Sequence, residues 1–149
     1  IIDHAKVQKE LKTPICLDES ILSAEDARKA IEIDACRIIN VKPGRISGLS
    51  ECIKINKIAK KYKIPLWCGG MLETGIGKVY NLAAASLSEF KLPADIVPAS
   101  TFFKEDLTTP DIKVKRDGTV SIPDKAGLGF NVIEKNIKKY LVSSYKIGK

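Results

Sequence analysis

The stretch Cys36-Arg-Ile-Ile-Asn-Val-Lys-Pro-Gly-Arg45 runs from apolar, β-branched residues into a lysine, a proline and a glycine. The apolar part reads as a short buried strand. Pro43 and Gly44 stop its ladder, because proline has no N–H to donate and glycine favours a turn. The same arrangement recurs on both sides. Ile15-Cys-Leu17 reaches Asp18-Glu-Ser20, Pro65-Leu-Trp-Cys68 reaches Gly69-Gly-Met71, and Asp95-Ile-Val97 reaches Pro98-Ala-Ser100. Between these runs lie amphipathic stretches with helical spacing. The first has Asp3 as its cap, Ala5, Val7 and Leu11 facing inward, and Thr13-Pro14 as its end. Ser23 and Asp26 form a capping box, with Asp in place of the usual Glu, for a second helix through Ile33. A third helix covers Ser50 to Tyr62, with Ile53, Ile55, Ile58 and Ala59 buried, and a small-residue helix covers Gly75 to Leu87. The strand ends Asp18, Lys42, Gly69 and Ser100 are 24, 27 and 31 residues apart, a βα repeat of nearly constant size.

Such a repeat predicts an α/β fold around a parallel sheet. Four βα units are half the staves of a barrel that takes roughly 250 residues, while an open doubly wound sheet closes with fewer strands, so periodicity leaves both architectures open. Beyond the fourth strand the pattern changes. Ile112 to Lys115 and Thr119 to Ile122 read as a hairpin with a two-residue turn at Asp117-Gly118, and Ile133 to Tyr145 as a closing helix. The division expected is therefore 1–110, about four βα units, and 111–149, a hairpin and helix packing on them.

Composition narrows the class. With 149 residues, 44% hydrophobic and 29% charged, the chain can build one ordinary core, which excludes disorder and collagen-like structure. The stretch Ile64 to Ile76 is too short and too interrupted by Pro65, the glycines and Glu73 to span a bilayer, and no signal peptide opens the chain. The first residue is Ile1, which suggests a segment of a longer product. The net charge of +7 comes from dispersed lysines, with only Arg28, Arg37, Arg45 and Arg116 beside them, so solvated helix faces are expected and not a nucleic-acid footprint. Cys16, Cys36, Cys52 and Cys68 contain no CxxC pair and read as buried free thiols of a reducing, cytoplasmic setting.

In either α/β architecture, chemistry gathers at the carboxyl ends of the strands. Asp18 and Glu19 there suit a hard cation such as Mg²⁺, or simply satisfy a loop's backbone donors. Lys42, between a buried run and a rigid Pro43, suits proton transfer, or snorkels to solvent. Gly69 and Gly70 leave the backbone open to a ligand, or make a tight turn.

Three segments carry a resemblance beyond spacing: Thr13-Pro-Ile-Cys-Leu-Asp-Glu-Ser20, Asn40-Val-Lys-Pro-Gly-Arg45 and Trp67-Cys-Gly-Gly-Met-Leu-Glu-Thr-Gly-Ile-Gly77. With Leu92-Pro-Ala-Asp-Ile96, Phe102-Phe-Lys-Glu-Asp106 and Gly127-Leu-Gly129, they resemble, in order, the C-terminal half of the o-succinylbenzoate synthase and N-acylamino acid racemase group of the enolase superfamily. The resemblance implies the last part of a (β/α)7β barrel, a divalent metal, normally Mg²⁺, and proton abstraction next to the carboxylate of a small-molecule substrate. It assigns Asp18 to a metal ligand and Lys42 to a catalytic lysine. Glu19 and Asn40 would support them, and Gly69, Gly70, Met71, Leu72 and Phe102 would line the substrate pocket. The group's other metal carboxylates and its Lys-x-Lys pair fall before the position of Ile1, so the ligand set here is incomplete. A part-barrel also exposes strand edges, which implies pairing with another copy or with the remainder of the barrel.

Overall fold

Parallel pairing joins the apolar runs of the first half. In the computed structural model, which describes residues 1–148, β1 (Cys16–Leu17), β2 (Ile38–Val41) and β3 (Leu66–Cys68) lie side by side in that order. Leu17 is opposite Ile39, Ile39 opposite Leu66, and Val41 opposite Cys68. The connections are α2 (Ala24–Glu32) and α3 (Leu49–Tyr62), and α1 (Ile2–Glu10) and α4 (Gly75–Ala85) flank the set. Lys149, the last residue of the C-terminal unit expected over 111–149, lies outside the described residues. Among those described, no helix is long and apolar enough to cross a membrane.

The Ser23 cap forms as expected, its hydroxyl oxygen accepting from the Asp26 amide at 3.1 Å, whereas Asp26 Oδ2 accepts from the Ser23 hydroxyl at 2.8 Å and the Leu22 amide at 3.2 Å in place of the Ser23 amide of a full capping box. Such a cap is worth about 1 kcal/mol. Leu17, Ile39, Val41, Ile55 and Leu66 form the core between sheet and helices, and Ala27, Ala30 and Ala59 let the helices approach closely. Cys36, Cys52 and Cys68 are buried free thiols, and burial pushes Cys36 and Cys68 up to about 12 and Cys52 to about 11. Cys16 differs from expectation. It is exposed at the open edge of the sheet, where the Trp67 indole donates to its sulfur at 3.2 Å.

Other expectations shift locally. The α1 helix starts before Asp3, which instead pairs with Lys6 at 2.9 Å, and Val7 and Leu11 are exposed. Its buried residue is Gln8, whose amide donates to the Leu11 and Thr13 carbonyls and accepts from the Ile15 amide at 2.7 Å. Ile53 of α3 is likewise exposed. The segment bonded to the far side of β3 is 89–95 and not 95–97: Leu66 N donates to Glu89 O at 2.8 Å and Asp95 N to Cys68 O at 2.9 Å. Pro93 removes a donor midway, so no regular strand forms.

In the C-terminal part, Val114 and Val120 make a single antiparallel bridge. Gly118 N donates to Lys115 O at 3.0 Å, and Gly118 has φ +79°. The turn thus centres on Arg116-Asp117, with Gly118 as a third, left-handed loop residue, where two residues were expected. The strands β4 (Thr108–Thr109) and β5 (Asn131–Val132) pair antiparallel. The closing helix, α5, covers only Glu134–Tyr140 and buries no residue. Without a face to bury, a short helix has little to extend it, and residues 141–148 have no regular structure.

Candidate functional site

Register brings the ends of β1 and β2 together, and with them Asp18 and Lys42. Lys42 Nζ lies 2.9 Å from Asp18 Oδ2, and the Asn40 amide donates to the same oxygen at 3.0 Å. Arg45 donates to Asp18 Oδ1, to the Asn40 carbonyl at 2.6 Å and to the Ile21 carbonyl at 3.0 Å. Asn40 is buried, and its Oδ1 accepts from the Gly69 amide at 2.8 Å, so one side chain links the ends of all three strands. The Asp18, Lys42 and Arg45 side chains retain 26%, 19% and 11% of their exposure, which leaves the lysine partly accessible and the arginine mostly enclosed. Burial pulls the Arg45 guanidinium below its ordinary pKa. Two cations face one carboxylate, so the cluster carries an excess positive charge suited to an anion.

The glycine pair has a steric cause. A Cβ on Gly69 would lie 2.6 Å from Asn40 Nδ2 and 2.8 Å from Lys42 Cε, and one on Gly70 would lie 2.6 Å from the Asp95 carbonyl oxygen. The chain's own atoms occupy the space that glycine leaves, so the pair serves close packing of the site. Beyond it, Gly70, Met71, Leu72 and Phe102 line a cavity of about 260 Å³ together with Lys78 and Asp95. Met71, Leu72 and Phe102 are exposed on its rim.

The residues expected from sequence therefore fall into two joined groups, Asp18, Asn40, Lys42 and Gly69 in one, and Gly70, Met71, Leu72 and Phe102 in the other. Glu19 is exposed, and among the described residues no hydrogen bond or ion pair ties it to either. Arg45, Glu73, Lys78 and Asn81 were not singled out. Lys78 was findable: Gly75, Lys78, Val79 and Leu82 share the buried face of α4 at helical spacing, and a lysine in that series is anomalous. Arg45 sits in a loop, where sequence pattern has no face to assign.

Among the described residues, no three His, Cys, Asp or Glu side chains group to hold a metal ion. Asp18 is the one carboxylate of its cluster, and both of its oxygens are already engaged by Lys42, Asn40 and Arg45. These residues do not by themselves fit a divalent metal.

Residues 1–136 match the protein family described as enolase C-terminal domain-like. The chain belongs to that family. Its relatives include the o-succinylbenzoate synthase of Bacillus subtilis, 49% identical over 95% of this chain and 38% of the relative. Another is the N-succinylamino acid racemase of Thermus thermophilus, 46% identical over 89% of this chain and 36% of the relative. Among solved structures, an enolase superfamily member from Listeria innocua superposes with a TM-score of 0.88 at 43% identity, over 95% of this chain and 38% of that one. A dipeptide epimerase from Cytophaga hutchinsonii, complexed with Mg and the dipeptide D-Ala-L-Val, gives a TM-score of 0.81 at 26% identity, over 91% of this chain and 36% of that one. This enolase-family chain thus has the α/β fold of the superfamily, and it spans 38% and 36% of the length of these two curated relatives.

Proposed function

We propose that the chain is the C-terminal barrel part of an enzyme that abstracts a proton next to a substrate carboxylate, and that the enzyme is an o-succinylbenzoate synthase, a lyase of menaquinone biosynthesis. The observation that carries this reading is the Asp18–Lys42 pair, set 2.9 Å apart on adjacent strand ends. Relatives of that name at 49% and 44% identity support it. In this reading Lys42 brings positive charge to one face of the enediolate that proton loss creates. Asp18 holds the lysine, Arg45 holds Asp18 by its other oxygen, and Asn40 ties Asp18 to the end of β3. The 69–72 loop and Phe102 enclose the rest of the substrate. The Mg²⁺ implied by the family would take Asp18 as one ligand and its remaining ligands from residues outside this chain, since Asp18 alone cannot hold it.

N-Succinylamino acid racemisation is the second reading, favoured by the 46% identical relative of that name. There Lys42 would also exchange a proton with the substrate. Residues 1–110 would form the barrel part and 111–149 a unit docked on it. The open edge of β1 and the exposed Val7 and Leu11 of α1 support pairing with the rest of the barrel or a further copy. The free thiols support a cytoplasmic setting. Turnover by the full-length protein decides. Dehydration to o-succinylbenzoate exceeding racemisation supports the first reading, the reverse supports the second, and absence of both removes the reading.

A further inference from the structure

Lys78 is fully buried in the first half of α4, facing neither solvent nor Asp18. Its ammonium donates to the Met71 carbonyl at 3.1 Å, lies 3.2 Å from Glu73 Oε2 and stands 5.3 Å from the centre of the Phe102 ring. Glu73 Oε2 also accepts from the Met71 amide at 2.8 Å. Both backbone polar groups of Met71 are thus gripped by one buried ion pair. Gly77 makes room for it, because a Cβ there would meet the Glu73 Cβ at 2.7 Å. Burial pushes the Glu73 carboxyl up, but the Met71 amide and the Lys78 ammonium help to hold the group below its ordinary value.

A buried ammonium is expensive, and an apolar residue of similar length would fill the same space without desolvating a charge. What an apolar residue cannot do is join two separate pieces of the cavity wall. Met71 and Glu73 belong to the loop after β3, whereas Phe102 lies beyond α4, just after the short 3-10 turn Ala99–Thr101. An aromatic face and a carbonyl both attract a cation, and Lys78 stands where it serves both.

We propose that Lys78 is a positioning residue that clamps the Met71 loop and the Phe102 ring to each other and so sets the width of the substrate cavity. It acts through those walls and does not touch the reacting atoms. The kinetic part of this inference rests on the proposed function, whereas the clamp itself does not.

The test compares wild type, Lys78→Met and Lys78→Arg in the full-length protein. Hydrogen–deuterium exchange is expected to quicken about tenfold or more in Lys78→Met within 69–74 and 100–104, with α2 and α3 unchanged. For dehydration to o-succinylbenzoate, KM is expected to rise about tenfold while kcat stays within about threefold, and Lys78→Arg is expected to recover much of both. Exchange that quickens evenly over α4 and the sheet, or in the Met71 loop without Phe102, overturns the clamp. An unchanged KM overturns its effect on substrate. Should Lys78→Met not fold, Phe102→Leu replaces it: faster exchange at 69–74 supports the clamp, and unchanged exchange overturns it. A wild-type protein with neither activity removes the proposed function, and the exchange result still decides the clamp.

Discussion

Two ion pairs stand within one loop of each other, and they differ in almost every respect. At the strand ends, Asp18 has three partners, and of its two cations Lys42 stays partly exposed while Arg45 is mostly enclosed. Behind the 69–72 loop, Glu73 and Lys78 face each other in the interior, and Glu73 Oε1 and Asn81 Nδ2 have no hydrogen-bond partner. The first cluster has more positive charge than it needs for its own carboxylate, which is the condition for binding an anion. The second is balanced, and its bonds go to the backbone that forms the wall. A buried charge pair can therefore serve chemistry or shape, and the excess of partners over charges tells which.

That contrast is sharpest in what each cluster should lose. Lys42→Ala removes the accessible cation but leaves Asp18 bonded to Arg45 and Asn40. Turnover of the full-length enzyme is expected to fall by about a thousandfold or more while its Tm changes little. Wild-type turnover would remove Lys42 from the reaction. Glu73→Gln should act in the opposite sense, mainly on the fold. It leaves the Lys78 charge buried without its counter-charge, so a loss of about 3 kcal/mol is expected from denaturant unfolding. A loss below about 0.5 kcal/mol would mean that the pair is not a structural unit.

Gly69→Ala tests the seam between the clusters. The added Cβ would have to displace Asn40 or Lys42, with a destabilisation of about 2 kcal/mol and a fall in turnover. Full activity would show that the strand ends can yield. The smallest effect is the response to acid. The Glu73 carboxyl is held below its ordinary value of 4.5, so its contribution to stability is complete above that pH and fades as pH falls through its folded value. Unfolding midpoints are expected to be flat from neutrality to about pH 5 and then to decline, less steeply in Glu73→Gln than in wild type. Identical slopes would place the acid sensitivity elsewhere.

The sequence made the first cluster legible and hid the second. Asp18 and Lys42 follow apolar runs whose length and spacing mark them as strands, so their place at one end of a sheet follows from the pattern alone. Lys78 is one lysine among many, and only its helical phase among Val79 and Leu82 distinguishes it from those on solvated faces. The glycine pair was visible, but its reason was not, since the colliding atoms come from Asn40, Lys42 and Asp95 on other segments. Helix faces failed where apolar residues lacked a partner: Val7 and Leu11 looked inward by composition, whereas Gln8 is the residue that is enclosed. The closing helix was overextended for the same reason.

Gln8 also bears on the order in which structure forms. Its three bonds, to Leu11, Thr13 and Ile15, close over at most seven residues, and they use both ends of its amide. Little loop entropy opposes them, in contrast to the strand pairings, which must wait for an entire helix to fold back. The first helix and the chain up to Ile15 are therefore expected to form as a local unit ahead of the strand pairings, which leaves the entry to β1 set by contacts that do not depend on the sheet.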